Sequence, residues 1–123
     1  YYSIVATLLP QGIYDAIKKS KAKLTYVCGN AYEGEGETGP QKLSEFINEL
    51  EVYLPRKLDT VIFNHAKLDS EQIKHYKEKQ WNLIEFDEEN LKDHNVVAGD
   101  FEKETGGLDP VKLGNILKKL NCK

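Results

Sequence analysis

The residues best suited to chemistry lie in the run Gly29-Asn30-Ala31-Tyr32-Glu33-Gly34-Glu35-Gly36-Glu37-Thr38-Gly39, which leaves an apolar segment and leads into a helical pattern. A loop entering a helix presents unpaired backbone N–H groups and the positive end of the helix dipole, surroundings that favour an anion such as phosphate. Three glutamates in the same loop repel a bare phosphate. A divalent cation or a neighbouring basic group would therefore have to intervene. The spacing is neither a Walker loop nor the dinucleotide fingerprint, and a solvated surface loop is the other reading of the same residues. A second candidate is Asn64-His65, closing the apolar segment Leu58 to Phe63. An amide at a strand end can hydrogen-bond a base, a ribose or a planar ring, or it can tie down its own turn.

Other reactive residue types fall into no recognisable constellation. His65, His75 and His94 lack metal-ligand spacing, and no Ser-His-Asp, zinc or glycosidase pattern stands out. Cys28 and Cys122 read as free thiols of a reducing compartment. The acidic runs Asp87 to Glu89 and Asp100 to Glu104 read as solvated turns. The residues assign no catalytic group and no metal-ligand set.

The elements that must position these loops follow from periodicity. Pro10 opens a helix carrying Ile13, Ala16 and Ile17. Leu24 to Cys28 reads as a strand covered on both faces. Leu43, Phe46, Ile47, Leu50 and Tyr53 form one helical stripe, with Thr38 as a candidate cap and Pro40 near the first turn. Leu58 to Phe63 reads as a second strand, and Asp69 with Gln72 has capping-box spacing ahead of a third helix. Trp81 to Phe86 and Asn95 to Ala98 read as further strands. Asp109 and Pro110 start a closing helix with Leu113, Ile116, Leu117 and Leu120 on one face. Strands alternating with helices imply crossover connections. The expected fold is α/β, a three-layer Rossmann-like arrangement of a mostly parallel sheet with helices on both faces. Its ligands would gather beyond the C-terminal ends of the strands.

At 123 residues and 40% hydrophobic, the chain suits a single α/β domain over residues 1–123. Its net charge of -3 and scattered lysines offer no basic face to nucleic acid. The apolar run Ile4 to Leu9 is far short of the roughly 20 residues needed to cross a bilayer, so a membrane partner is not expected. The absence of Met and the start at Tyr1-Tyr2 read as a segment of a longer protein.

The order of these pieces resembles the later part of the 2-phospho-L-lactate transferase (CofD-like) family and its bacterial relatives. Tyr1-Tyr2-Ser3 with Leu8-Leu9-Pro10-Gln11-Gly12-Ile13 resembles the end of an aromatic and Ser/Thr-bearing stretch ahead of a helix. Ser20-Lys21-Ala22-Lys23 and Tyr26-Val27-Cys28 resemble the approach to the family's central strand. Gly36-Glu37-Thr38 matches its Gly-Glu-Thr motif, Val61-Ile62-Phe63-Asn64 its strand ending in Asn, and Asp109-Pro110 with Lys112-Leu113 its closing helix. Two departures stand out. The loop after Cys28 is one residue longer than the pattern, which blurs the correspondence of Asn30, and Leu108 stands where a His commonly precedes the Asp. The family's N-terminal strand and glycine-rich turn would lie upstream of Tyr1.

By that resemblance the whole protein would move a phospholactyl group from a guanosine-diphosphate-linked donor to a deazaflavin with Mg²⁺, mainly by positioning and charge stabilisation. This segment alone would be inactive. Asn30, Gly36, Glu37, Thr38 and Asn64 would be the ligand-binding residues, with Glu37 near the cation and Thr38 capping the helix or bonding the ligand. Relatives suggest a homodimer in the cytoplasm. The alternatives are a non-catalytic nucleotide-sugar-binding regulator of the same family and a structural α/β interaction module.

Overall fold

The computed structural model describes residues 1–34 and 39–121. It contains helices α1 (Tyr2–Leu8), α2 (Gln11–Lys19), α3 (Leu43–Val52), α4 (Ser70–Glu78) and α5 (Pro110–Asn121), and strands β1 (Thr25–Cys28), β2 (Ala31–Glu33), β3 (Thr60–Asn64), β4 (Trp81–Leu83) and β5 (Val96–Gly99). The fold is the expected α/β one. β1, β3 and β5 form a parallel sheet in that order, with Cys28 beside Phe63 and Asn64 beside Gly99. Because all three strands run the same way, Cys28, Asn64 and Gly99 end at one edge.

The sheet's faces are set by side-chain alternation. Tyr26, Cys28, Val61 and Phe63 point to one face and pack with Leu43, Phe46, Ile47 and Leu50 of α3. Ile62 points the other way and is also fully buried. On that second face Leu120 of α5 lies with Thr25, Thr60 and Val97 around a cavity. Every residue of β3 is buried, which explains its apolar centre Val61-Ile62-Phe63.

Two elements depart from the expectation. Residues 2–8, left unassigned by periodicity, form α1, whose Val5 and Leu8 pack on the core while Tyr1 meets the Phe46 ring edge-on at 5.2 Å. More important for the site, the segment Gly29 to Gly39 is not wholly loop. Ala31 to Glu33 pairs antiparallel with Trp81 to Leu83, Tyr32 opposite Asn82. Main-chain pairing across about 50 residues makes this small second sheet, so no local pattern announces it.

The starts of α3 and α4 are settled by side-chain acceptors. Asp69 accepts from Gln72 N–H (2.8 Å) and Gln72 Oε1 accepts from Asp69 N–H (2.9 Å), the reciprocal box the spacing predicts. α3 starts later than expected, at Leu43, so Pro40 precedes it and Thr38 lies outside the described residues. Glu45 accepts from the N–H groups of Gln41 and Lys42. Leu43 N–H donates to the Glu85 carbonyl at 2.9 Å, Ser44 N–H goes to the distant Asp87 Oδ1 at 3.0 Å, and the Ser44 hydroxyl donates to Asp87 Oδ2.

Asp87 is thus buried rather than part of a solvated acidic turn. Burial pushes its carboxyl pKa up, but the hydrogen bonds from Ser44 and Asn90 outweigh that and hold it below the usual carboxylate range. A depressed folded-state pKa contributes stability that is present above the unfolded value and lost as pH falls through the folded one. Asp87→Asn is therefore expected to be less stable than the parent by about 1–2 kcal/mol at neutral pH. The gap should narrow as the pH falls below the ordinary aspartate value of about 3.9 and through the lower folded-state one, and urea unfolding at a series of pH values measures it.

Candidate functional site

The candidate site is the edge where the three parallel strands end. Asn30 follows β1 by two residues, Asn64 ends β3, and Glu102 follows β5 by three. Their side chains meet. Asn30 Nδ2 donates to Glu102 Oε2 at 3.0 Å and Asn64 Nδ2 donates to the same oxygen at 2.5 Å. The other carboxylate oxygen, Oε1, accepts from the Tyr76 hydroxyl of α4 and from Gly107 N–H at 2.7 Å. Tyr76 is also 2.9 Å from Asn30 Oδ1, and Asn64 Oδ1 accepts from Phe101 N–H at 3.0 Å. Lys112 of α5 donates to the Glu102 main-chain carbonyl at 2.7 Å and to Asp100 at 3.0 Å.

Glu102 is 4% exposed, Tyr76 3% and Asn64 0%. Withdrawing a carboxylate from water costs several kcal/mol unless its lone pairs are satisfied, and here two amides, a phenol and a main-chain N–H do so. Burial, followed by the hydrogen bond to Glu102, pushes the Tyr76 phenol up to about 12, so it stays a proton donor at physiological pH. The Tyr76 ring is held edge-on by Trp81 at 5.4 Å. Its other side is closed by Gly106, where φ is +92° and an added Cβ would come within 3.1 Å of Tyr76 Cε1.

The sequence candidates therefore divide. Asn30 and Asn64 are brought together, both buried, on a carboxylate that had been read as part of a solvated acidic run. Gly36, Glu37 and Thr38 lie outside the described residues. Glu102 escaped sequence reasoning because its donors come from three other elements, and only its place just past a strand end hinted at it.

The remaining candidates are scattered. His65 is exposed beyond β3, with its ring 4.6 Å from that of Phe86, itself stacked on Phe63 at 5.4 Å. His94 is partly buried, 3.6 Å from Glu51 Oε2 and with neither of its buried ring nitrogens hydrogen-bonded among the described residues. Burial pushes the Cys28 thiol up to about 11, despite a partly opposing hydrogen bond with Tyr26, so it is a core thiol and not a nucleophile. Among the described residues no group of three or more His, Cys, Asp or Glu side chains converges to hold a metal ion. Glu102 is engaged by protein donors and leaves no lone pair aimed at a cation. Glu37, the residue expected near the cation, lies outside the described residues. No described helix is long and apolar enough to cross a membrane.

A parallel sheet with helices on both faces, whose strand ends converge on a shared polar network, defines an α/β protein of the Rossmann-like class. Residues 1–101 match the model of the family described as 2-phospho-L-lactate transferase CofD, and the chain belongs to that family. A Thermotoga maritima protein named as a proposed gluconeogenesis factor is 34% identical over 132 residues, covering 98% of this chain and 41% of the relative. A Thermoanaerobacterium thermosulfurigenes protein of the same name is 31% identical over 127 residues, covering 98% of this chain and 38% of the relative. The chain thus spans about two fifths of the length of these curated relatives. Two crystal structures of a UPF0052-family protein from Bacillus halodurans share the fold. One has a TM-score of 0.78 at 20% identity over 91% of this chain and 38% of that one, the other 0.70 at 21% over 89% and 37%.

Proposed function

We propose that the 123 residues are the later portion of a larger α/β domain whose parent protein binds a nucleotide-linked small molecule across the C-terminal edge of the parallel sheet. The observation that carries this reading is the family match over residues 1–101, joined to a sheet whose three strand ends point to one edge. In the fuller reading the parent protein is a cytosolic homodimer that moves a phospholactyl group from a guanosine-diphosphate-linked donor to a deazaflavin. The Gly36-Glu37-Thr38 motif contributes to ligand binding, while Asn30 and Asn64 brace the cleft from beneath. Catalysis rests on holding donor and acceptor together and on stabilising charge on the transferred group. With no cation site among the described residues, the part of Mg²⁺ is left to the ligand titration.

A second reading is favoured by the names of the two curated relatives, both proposed gluconeogenesis factors. In it the same edge binds a nucleotide sugar without transfer and the protein regulates metabolism. Thermal unfolding of the full-length parent protein separates the two. GDP, a deazaflavin and UDP-N-acetylglucosamine are added in turn, each with and without Mg²⁺. A ligand at about 100 times its Kd adds roughly 2.7 kcal/mol. Stabilisation by GDP and deazaflavin is the expected result for the transferase, and stabilisation by the nucleotide sugar alone selects the regulator. No shift with any of them removes both and leaves an interaction module.

A further inference from the structure

We infer that Glu102 is the positioning residue of this edge: its buried carboxylate fixes Asn30, and with it the start of the Gly29 to Gly39 segment, against Asn64 and α4, without touching the ligand. The inference rests on the reading of this edge as the ligand cleft. Glu102 lies one residue beyond the span that matches the family model, and its role follows from geometry alone.

Three parts of the chain far apart in sequence have no main-chain ladder with one another at this point, yet each sends a donor to Glu102. Asn30 comes from the segment between β1 and β2, Asn64 from β3, and Tyr76 from α4. Gly107 closes the fourth position from the carboxylate's own loop. Both Asn30 side-chain hydrogen bonds, to Glu102 and to Tyr76, belong to this network. Asn30 also anchors the small sheet, because its carbonyl accepts from Ile84 N–H at 2.8 Å. Displacing the Asn30 side chain therefore shifts the start of the glycine-rich segment, where β2 pairs with β4 at this edge. The acceptor must be a carboxylate: both of its oxygens receive donors, and an amide at the same place turns an NH₂ group towards one pair of them.

That polarity argument supplies a test. In Glu102→Gln, an NH₂ group opposes either the two asparagine amides or the Tyr76 and Gly107 donors, which breaks the network. In Asn64→Asp, two carboxylates are set against each other. The double variant N64D/E102Q restores complementarity. The new amide at position 102 then donates through its NH₂ group to the new carboxylate at position 64 and to Asn30 Oδ1, once the Asn30 amide turns over. The carbonyl of that new amide accepts from Tyr76 and Gly107, and Asn30 Nδ2 donates to Tyr76. Every donor again has an acceptor, with the negative charge moved from position 102 to position 64.

The experiment is titration calorimetry of the full-length parent protein with GDP and, separately, UDP-N-acetylglucosamine, each with Mg²⁺, at a temperature well below the measured melting point of every variant. For whichever nucleotide the parent binds, either single variant should raise Kd by about tenfold or more, roughly 1.4 kcal/mol, and the double variant should return it to within about threefold of the parent. Single variants that melt earlier yet bind as tightly as the parent would reduce Glu102 to a purely stabilising role and overturn the inference. A double variant that regains its melting temperature but not its affinity would also overturn it, because a charge needed at position 102 itself implies contact with the ligand. If the parent protein binds neither nucleotide, the reading of the edge as a nucleotide cleft fails, and the inference falls with it.

Discussion

Replacing Asn64 with leucine is expected to lower the unfolding free energy by about 3 kcal/mol, measured by urea denaturation at neutral pH. The two side chains are close in size, so little of the effect comes from packing. Asn64 is fully buried, accepting from Phe101 N–H and donating to Glu102. Leucine leaves the Phe101 N–H without an acceptor and deprives a buried carboxylate of a donor, at about 1–3 kcal/mol each. A change below about 1 kcal/mol would mean that water replaces these partners and that the edge is more open than its burial indicates. The comparison with Asn30→Leu is informative because Asn30 keeps 8% exposure. Its smaller expected loss reflects easier rescue by solvent.

An effect of similar or larger size is expected from Phe63→Ala, about 3–5 kcal/mol. Phe63 is 1% exposed within β3, between the strands that carry Cys28 and Ala98. Its ring stacks with that of Phe86 at 5.4 Å and lies 5.8 Å from that of His65. Truncation removes the floor of the sheet directly beneath the candidate site and leaves a cavity that β3, hydrogen-bonded on both sides, cannot collapse to fill. Against a total stability of order 5–15 kcal/mol for a domain of this kind, such a loss leaves a large unfolded fraction at 37 °C. The midpoint of a thermal melt followed by far-ultraviolet circular dichroism checks it. Phe63→Leu, which keeps most of the volume, should recover more than half of the loss.

The main sheet and its helices were legible because their causes are local. The centre of β3, Val61 to Phe63, is apolar because both faces are covered, the α3 stripe repeats at helical spacing, and Asp69 with Gln72 caps α4 as the spacing indicates. What could not be read depends on distant partners. β2 is three residues inside a glycine-rich segment and exists because β4 is there to pair with it. α1 has a β-branched, uncapped sequence and is held by aromatic and apolar contacts with α3. At the candidate site the sequence singled out Asn30 and Asn64, which the fold brings to one edge, but not the residue that joins them. Glu102 and Asp87 sit in charged runs that look solvated, and only folding brings the donors that make their burial tolerable. The resemblance supplied the family name, and the residues alone went no further than an α/β sheet with a polar edge.

The placement of the single tryptophan has a practical consequence. Trp81 lies edge-on to both Tyr76 and His75, at 5.4 and 6.1 Å, and so abuts the phenol that donates to Glu102. Excitation at the red edge of the indole band selects it over the seven tyrosines, making its emission a label-free optical probe of the joint between α4 and the polar edge. Any event that frees the Tyr76 ring should be readable in real time as a change in emission wavelength or lifetime, before the sheet itself unfolds.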